Sequence, residues 1–119
     1  MEDIPTDRAQ ALDLLNRALQ LAHARMYALK LGFSVSLPMP SGAILGWEKI
    51  DGAWGYYVHD AGAWKRILEA KVHHRIEAAA RLDMLLQQAH EMGLTKLEEI
   101  RDATRAAERF ANAATEAAG

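Results

Sequence analysis

Apolar residues recur along this chain in two rhythms, and the change between them outlines the architecture. Leu12, Leu15, Leu19, Ala22, Met26 and Leu29 step by alternating threes and fours, the period of a helical seam. This spacing predicts a first helix over residues 7–31, with Thr6 as its N-cap and Asp7 placing negative charge on the first turn. Gly32 is the natural stop. Leu14, Ala18 and Leu21 broaden the stripe, so this helix is expected to meet two neighbours.

The rhythm then becomes strict alternation. Residues 33–37 (Phe-Ser-Val-Ser-Leu) read as a short strand that ends in the turn Pro38-Met-Pro-Ser-Gly42. Residues 43–50 and 53–59 flank Asp51-Gly52, a pair suited to a two-residue hairpin turn because both central positions take positive φ. With that turn Trp47 pairs with Tyr56 and Leu45 with Val58 on one face, while Ile44, Ile50 and Tyr57 fall on the other. A bulged turn would shift the register by one. An isolated hairpin is marginal in water, so these aromatic side chains need cover from helices or from another chain.

Helical spacing returns after Asp60-Ala-Gly62. A long helix is expected over residues 63–91, stopped at Gly93, and Thr95-Lys-Leu-Glu98 has the spacing of a capping box opening a last helix to about residue 117. In that last helix Leu97, Ile100, Thr104, Ala107, Ala111, Ala114 and Ala118 again step by three and four, with Arg101, Arg105, Glu108, Arg109, Asn112 and Glu116 expected to hold the opposite side. The expected fold is α+β in a single domain over 1–119. It comprises a long N-terminal helix, a small antiparallel β-hairpin or three-strand meander, then two long helices forming an antiparallel helical pair.

Composition narrows the function classes. Half the residues are hydrophobic and a quarter charged, which is the balance of a packed domain rather than a disordered tail. A net charge of -2 removes any global electrostatic argument for nucleic acid or an anionic membrane. The absence of cysteine excludes disulfides, thiol catalysis and thiolate metal ligation. The acidic start Met-Glu-Asp-Ile-Pro-Thr-Asp is no secretory signal, and no apolar run approaches the ~20 residues of a membrane span. The expectation is a soluble cytoplasmic protein with no membrane partner; heavy use of Ala, and of Arg over Lys, suggests a GC-rich bacterial genome.

One feature of the predicted long helix stands out. On a helical wheel Trp64, Leu68, Ala79, Leu82, Leu86 and Ala89 share a stripe, and Lys71 and Arg75 fall within it. A buried cation without a partner costs several kcal/mol, so Arg75 must meet a carboxylate such as Glu48 or Asp60, a set of carbonyls, a partner chain or a bound anion. The simplest resolution is an internal ion pair or a cation stacked on a hairpin indole. The alternative is an anion pocket between hairpin and long helix, with Arg75 and Lys71 as cations and Trp47, Trp54 and Tyr56 as walls.

Other residue patterns carry less. His73 and His74 point about 100° apart on a helix, and Glu69, His73 and Glu77 form an i, i+4 row on a polar face with nothing to complete a shell, so neither metal nor cofactor is expected. Ser34, Ser36 and Ser41 lack a nucleophile context, and the glycines do not form a phosphate loop. Lys65, Arg66, Lys71, Arg75 and Arg81 could serve nucleic acid, but they spread around the helix, and Arg101, Arg105 and Arg109 are interleaved with Glu98, Asp102 and Glu108. The sequence therefore points to a small non-catalytic interaction, adaptor or regulatory protein acting as a homodimer. A binder of small anionic ligands is the first alternative and nucleic-acid binding the second.

Overall fold

The computed structural model describes residues 7–118 and has the α+β order anticipated from the rhythm of the chain. Helix α1 (Arg8–Ala28) is followed by strands β1 (Val35–Pro38), β2 (Ile44–Ile50), β3 (Ala53–Asp60) and β4 (Ala63–Arg66), a 3-10 turn (Ile67–Glu69), and helices α2 (Val72–Ala79) and α3 (Leu82–Ala118). The strands form one antiparallel sheet in the order β1-β2-β3-β4. The chain makes two compact units, one ending at Gln87 and one beginning at Gln88.

Asp7, expected inside the first turn, is instead the N-cap of α1, where its carboxylate accepts the Gln10 N–H at 2.8 Å. The Thr6 cap lies outside the described residues. The helix stops short of residue 31 because Lys30 already takes a left-handed backbone (φ 51) before Gly32 does so again (φ 70). Leu19 and Met26 are buried, while Leu14, Ala18 and Leu21 of the broadened stripe remain exposed.

Of the two turns open to the central hairpin the structure has the two-residue one, so Ile50 pairs with Ala53, Trp47 with Tyr56 and Leu45 with Val58. Asp51 (φ 52) and Gly52 (φ 81) supply the two left-handed residues that match the twist of the strands. Val35, Leu37, Leu45, Trp47, Tyr56 and Val58 alternate onto one buried face, and α1 packs against β3, the 3-10 turn and α2. Trp47, 2% exposed, is the largest side chain of this core.

The main departure follows Asp60. The residues expected to begin a long helix at Ala63 instead form β4, because Ala61 (φ 52) and Gly62 (φ 80) repeat the turn made by Asp51 and Gly52. Gly-Ala-Trp occurs twice, at 52–54 and 62–64, each time closing a turn and opening a strand. Hydrogen bonding to β3 then outweighs whatever helix preference the segment holds. Trp64 consequently lies over the second face of the sheet, 5.0 Å from the His59 ring, above Gly46, whose missing side chain leaves the space.

Two helices do follow the sheet, but they divide at Ala80-Arg81 rather than at Gly93. Arg81 donates through its guanidinium to the Glu77 carbonyl at 2.9 Å, closing the end of α2. Gly93 is carried inside α3, at a cost of about 1 kcal/mol relative to Ala, among strong helix formers on both sides. Thr95 does not cap. Its hydroxyl donates back to the Glu91 carbonyl at 3.2 Å, as Thr104 and Thr115 do to Ile100 and Ala111.

Candidate functional site

Strand β4 pairs only with residues 57–60, so among the described residues the first half of β3 has no strand on that side. In an antiparallel ladder the residues facing each other across the turn, Ile50 and Ala53, bond to one another, and alternate residues thereafter point away. By that alternation Trp54 and Tyr56 direct their backbone groups towards the side that β4 has left. The chain bends off there through Ile67–Glu69, and α1 passes with Leu19, Gln20 and His23. A cavity of about 470 Å³ results, lined by these α1 residues, by Ala53–Tyr57 and by Arg66–Glu69.

The rings of His23, Trp54, Tyr56 and Tyr57 line it. Trp47 meets Tyr56 edge to face at 5.0 Å and lies parallel to Trp54 at 6.5 Å, while His23 sits 5.4 Å from Trp47 and 6.5 Å from Tyr56. Offset and edge-to-face pairs of this kind add about 0.5–1.5 kcal/mol each to the burial of the rings. Gly55 permits the approach, since a β-carbon there would stand 3.3 Å from His23 Cε1. Desolvation pushes the Tyr56 hydroxyl up to about 12, so it stays protonated through neutral pH and is available as a hydrogen-bond donor. A second hollow of about 260 Å³, lined by Tyr27, Lys30, Leu31, Gly32, Trp47 and Trp54, shares Trp54 with the first.

Of the residues singled out from the sequence, Trp54 and Tyr56 line this cavity, and Trp47 packs against both rings without lining it. Arg75 and Lys71 do not line either hollow. Arg75 is part-buried and answered by oxygens of its own chain: Nε donates to the Ala70 carbonyl at 3.1 Å and a terminal nitrogen to Asn16 Oδ1 at 2.7 Å. Lys71 lies before α2, largely exposed, with its ammonium 3.9 Å from Asp60. The wheel that placed both cations in an apolar stripe fails because residues 63–71 are not α-helical. The cation at the cavity is Arg66, opposite in sign to Glu69 on the same rim.

His23, Gln20 and Arg66 have no local signature that marks them. They converge only because α1 crosses β3, a contact between segments some thirty to forty residues apart. The Glu69–His73–Glu77 row is broken, since Glu69 lies in the 3-10 turn and both Glu77 oxygens accept hydrogen bonds from Ser41. Among the described residues no cluster of His, Cys, Asp or Glu could hold a metal ion, and no helix is long and apolar enough to cross a membrane.

The segment of α3 beginning at Gln88 offers a different surface. Leu94, Leu97, Ile100 and Phe110 are exposed, Ile100 to 63% and Phe110 to 75%. From Leu94 to Ala118 every residue is exposed. Compared with protein-family models, with curated proteins and with solved structures, the chain matches none.

Proposed function

We propose that this chain is a small interaction protein that works as a homo-oligomer, with the second unit's helix as its association surface. The observation that carries this is the exposed seam of Leu97, Ile100, Thr104, Ala107, Ala111, Ala114 and Ala118, flanked by Phe110. An isolated helix gains little from propensity alone, and most helical stability in proteins comes from packing an apolar face. Large apolar residues left in water along such a face mark an interaction site. Sedimentation equilibrium across a concentration series tests it. A reversible dimer supports the proposal, and a strict monomer at every concentration reached removes it.

The cavity beside β3 favours a second reading, that of a small-ligand binder. Trp54, Tyr56 and His23 offer flat faces and a neutral donor, while Arg66 and Glu69 place both signs of charge at the rim. A small zwitterion with an aromatic group suits that set better than a simple anion, its carboxylate towards Arg66 and its ammonium towards Glu69. L-Phenylalanine titrated against tryptophan emission is the probe. Saturable binding that Arg66→Ala abolishes would support this reading, and no saturable response would end it.

A further inference from the structure

We infer that two copies of the helix Gln88–Ala118 pair antiparallel, in one register, centred between Arg105 and Ala106. This deepens the homo-oligomer proposal above and rests on it. Leu97, Thr104, Ala111 and Ala118 occupy one position of a seven-residue repeat, and Gly93, Ile100, Ala107 and Ala114 occupy the other seam position. When the helices run in opposite directions, each residue of the first set meets one of the second set on the partner helix.

Size and charge together select the register. With the two-fold axis level with residues 105–106, Leu97 faces Ala114, Ile100 faces Ala111 and Thr104 faces Ala107, large against small or small against small throughout. Phe110 then lies beside Ala103 of the other copy. Thr104 leaves no stray donor on the seam, because its hydroxyl is already bonded to the Ile100 carbonyl at 2.8 Å. Arg101 and Glu108 each sit one residue beyond a seam position and border it. In this register Arg101 of each copy lies next to Glu108 of the other, making two complementary pairs.

The neighbouring arrangements are penalised by the same charges. A shift of one heptad in one direction sets Arg101 against Arg101 of the second copy, and a shift in the other sets Glu108 against Glu108. A parallel pair would set Lys96 against Arg101 of the other helix, twice. Only the centred antiparallel arrangement turns both bordering charges into attraction.

Charge reversal reads this directly, with circular dichroism confirming that each full-length variant keeps its helix content. Arg101→Glu and Glu108→Arg should each weaken the dimer by about fivefold to tenfold, since two exposed pairs invert at once and each counts for a few-fold. The double variant should restore it. As a second measurement, Ile100→Cys and Ala111→Cys, made in a chain without native cysteine, should form a mixed disulfide when combined and little disulfide when either is oxidised alone. A dimer that Arg101→Glu strengthens, or that cross-links readily through Ile100→Cys alone, overturns the antiparallel register while leaving the homo-oligomer standing. A monomer at every concentration overturns both.

Discussion

Glu77 holds Ser41 by two oxygens at once: the Ser41 N–H donates to Oε1 at 3.0 Å and its hydroxyl to Oε2 at 2.7 Å. The pair spans thirty-six residues and ties the β1–β2 turn to α2. Both bonds are charge-assisted, but they lie at the surface, where water competes. Glu77→Ala should lower stability by about 1 kcal/mol, and Ser41→Ala by somewhat less because its backbone N–H remains. A double-mutant cycle in urea should show coupling between them; additive losses would mean that the contact contributes nothing in solution.

Two Arg75 nitrogens are held by oxygens of its own chain. Arg75→Ala removes both donors and leaves Asn16 Oδ1 and the Ala70 carbonyl partly covered, so a loss of about 1–3 kcal/mol is expected. Arg75→Lys should recover only part of it, because one ammonium cannot reproduce the two-direction fork. Denaturant midpoints of the three proteins measure this. Equal midpoints for all three would show that the guanidinium is not held.

Two glycines act for different reasons and should respond differently. Gly62 has open space around it but a φ of +80°, so Gly62→Ala should cost about 1 kcal/mol through backbone strain and loosen β4. Gly46 has an ordinary φ but would set a β-carbon 3.2 Å from the Trp64 ring and 3.0 Å from the Glu48 side chain. Gly46→Val should therefore lift Trp64 from the sheet and shift its emission to longer wavelength. An unchanged tryptophan spectrum would contradict the packing of Trp64 over Gly46.

Tyr56 sets an alkaline limit. Its hydroxyl titrates near 12 in the folded chain against 10.0 for the free side chain, because burial disfavours the phenolate. The folded state thus holds its proton more tightly than the unfolded one, and this contribution is fully present below pH 10 and lost as pH rises towards about 12. The expected loss is on the order of 1–2 kcal/mol, reduced from the full linkage by residual solvent around the hydroxyl. Tyr56→Phe should flatten this part of the stability–pH curve relative to the unsubstituted protein. Parallel curves would show that Tyr56 does not titrate with folding.

Local chemistry decided what could be read early. The Asp51-Gly52 turn, the pairing of Trp47 with Tyr56 and the existence of α1 follow from backbone preferences and from periodicity, which act between neighbours. The same local logic missed β4. Helical spacing after Asp60 competed with the second Gly-Ala-Trp turn, and the outcome rested on hydrogen bonds to a strand already in place. At Gly93 and Thr95 local stop and start signals were present, yet the helix continued through both.

The candidate site divides along the same line. Sequence alone paired Trp47 with Tyr56 for a two-residue turn, with a bulged turn left as the alternative, and aligned Leu97, Ile100 and their seam, since a helix repeats. Only the tertiary structure decided that Arg66 and His23, rather than Arg75 and Lys71, stand beside those rings. The physical reason is range: turn and helix preferences are set within a few residues, whereas the path of α1 across β3 is set by the burial of Leu19, Met26 and Trp47 between distant segments.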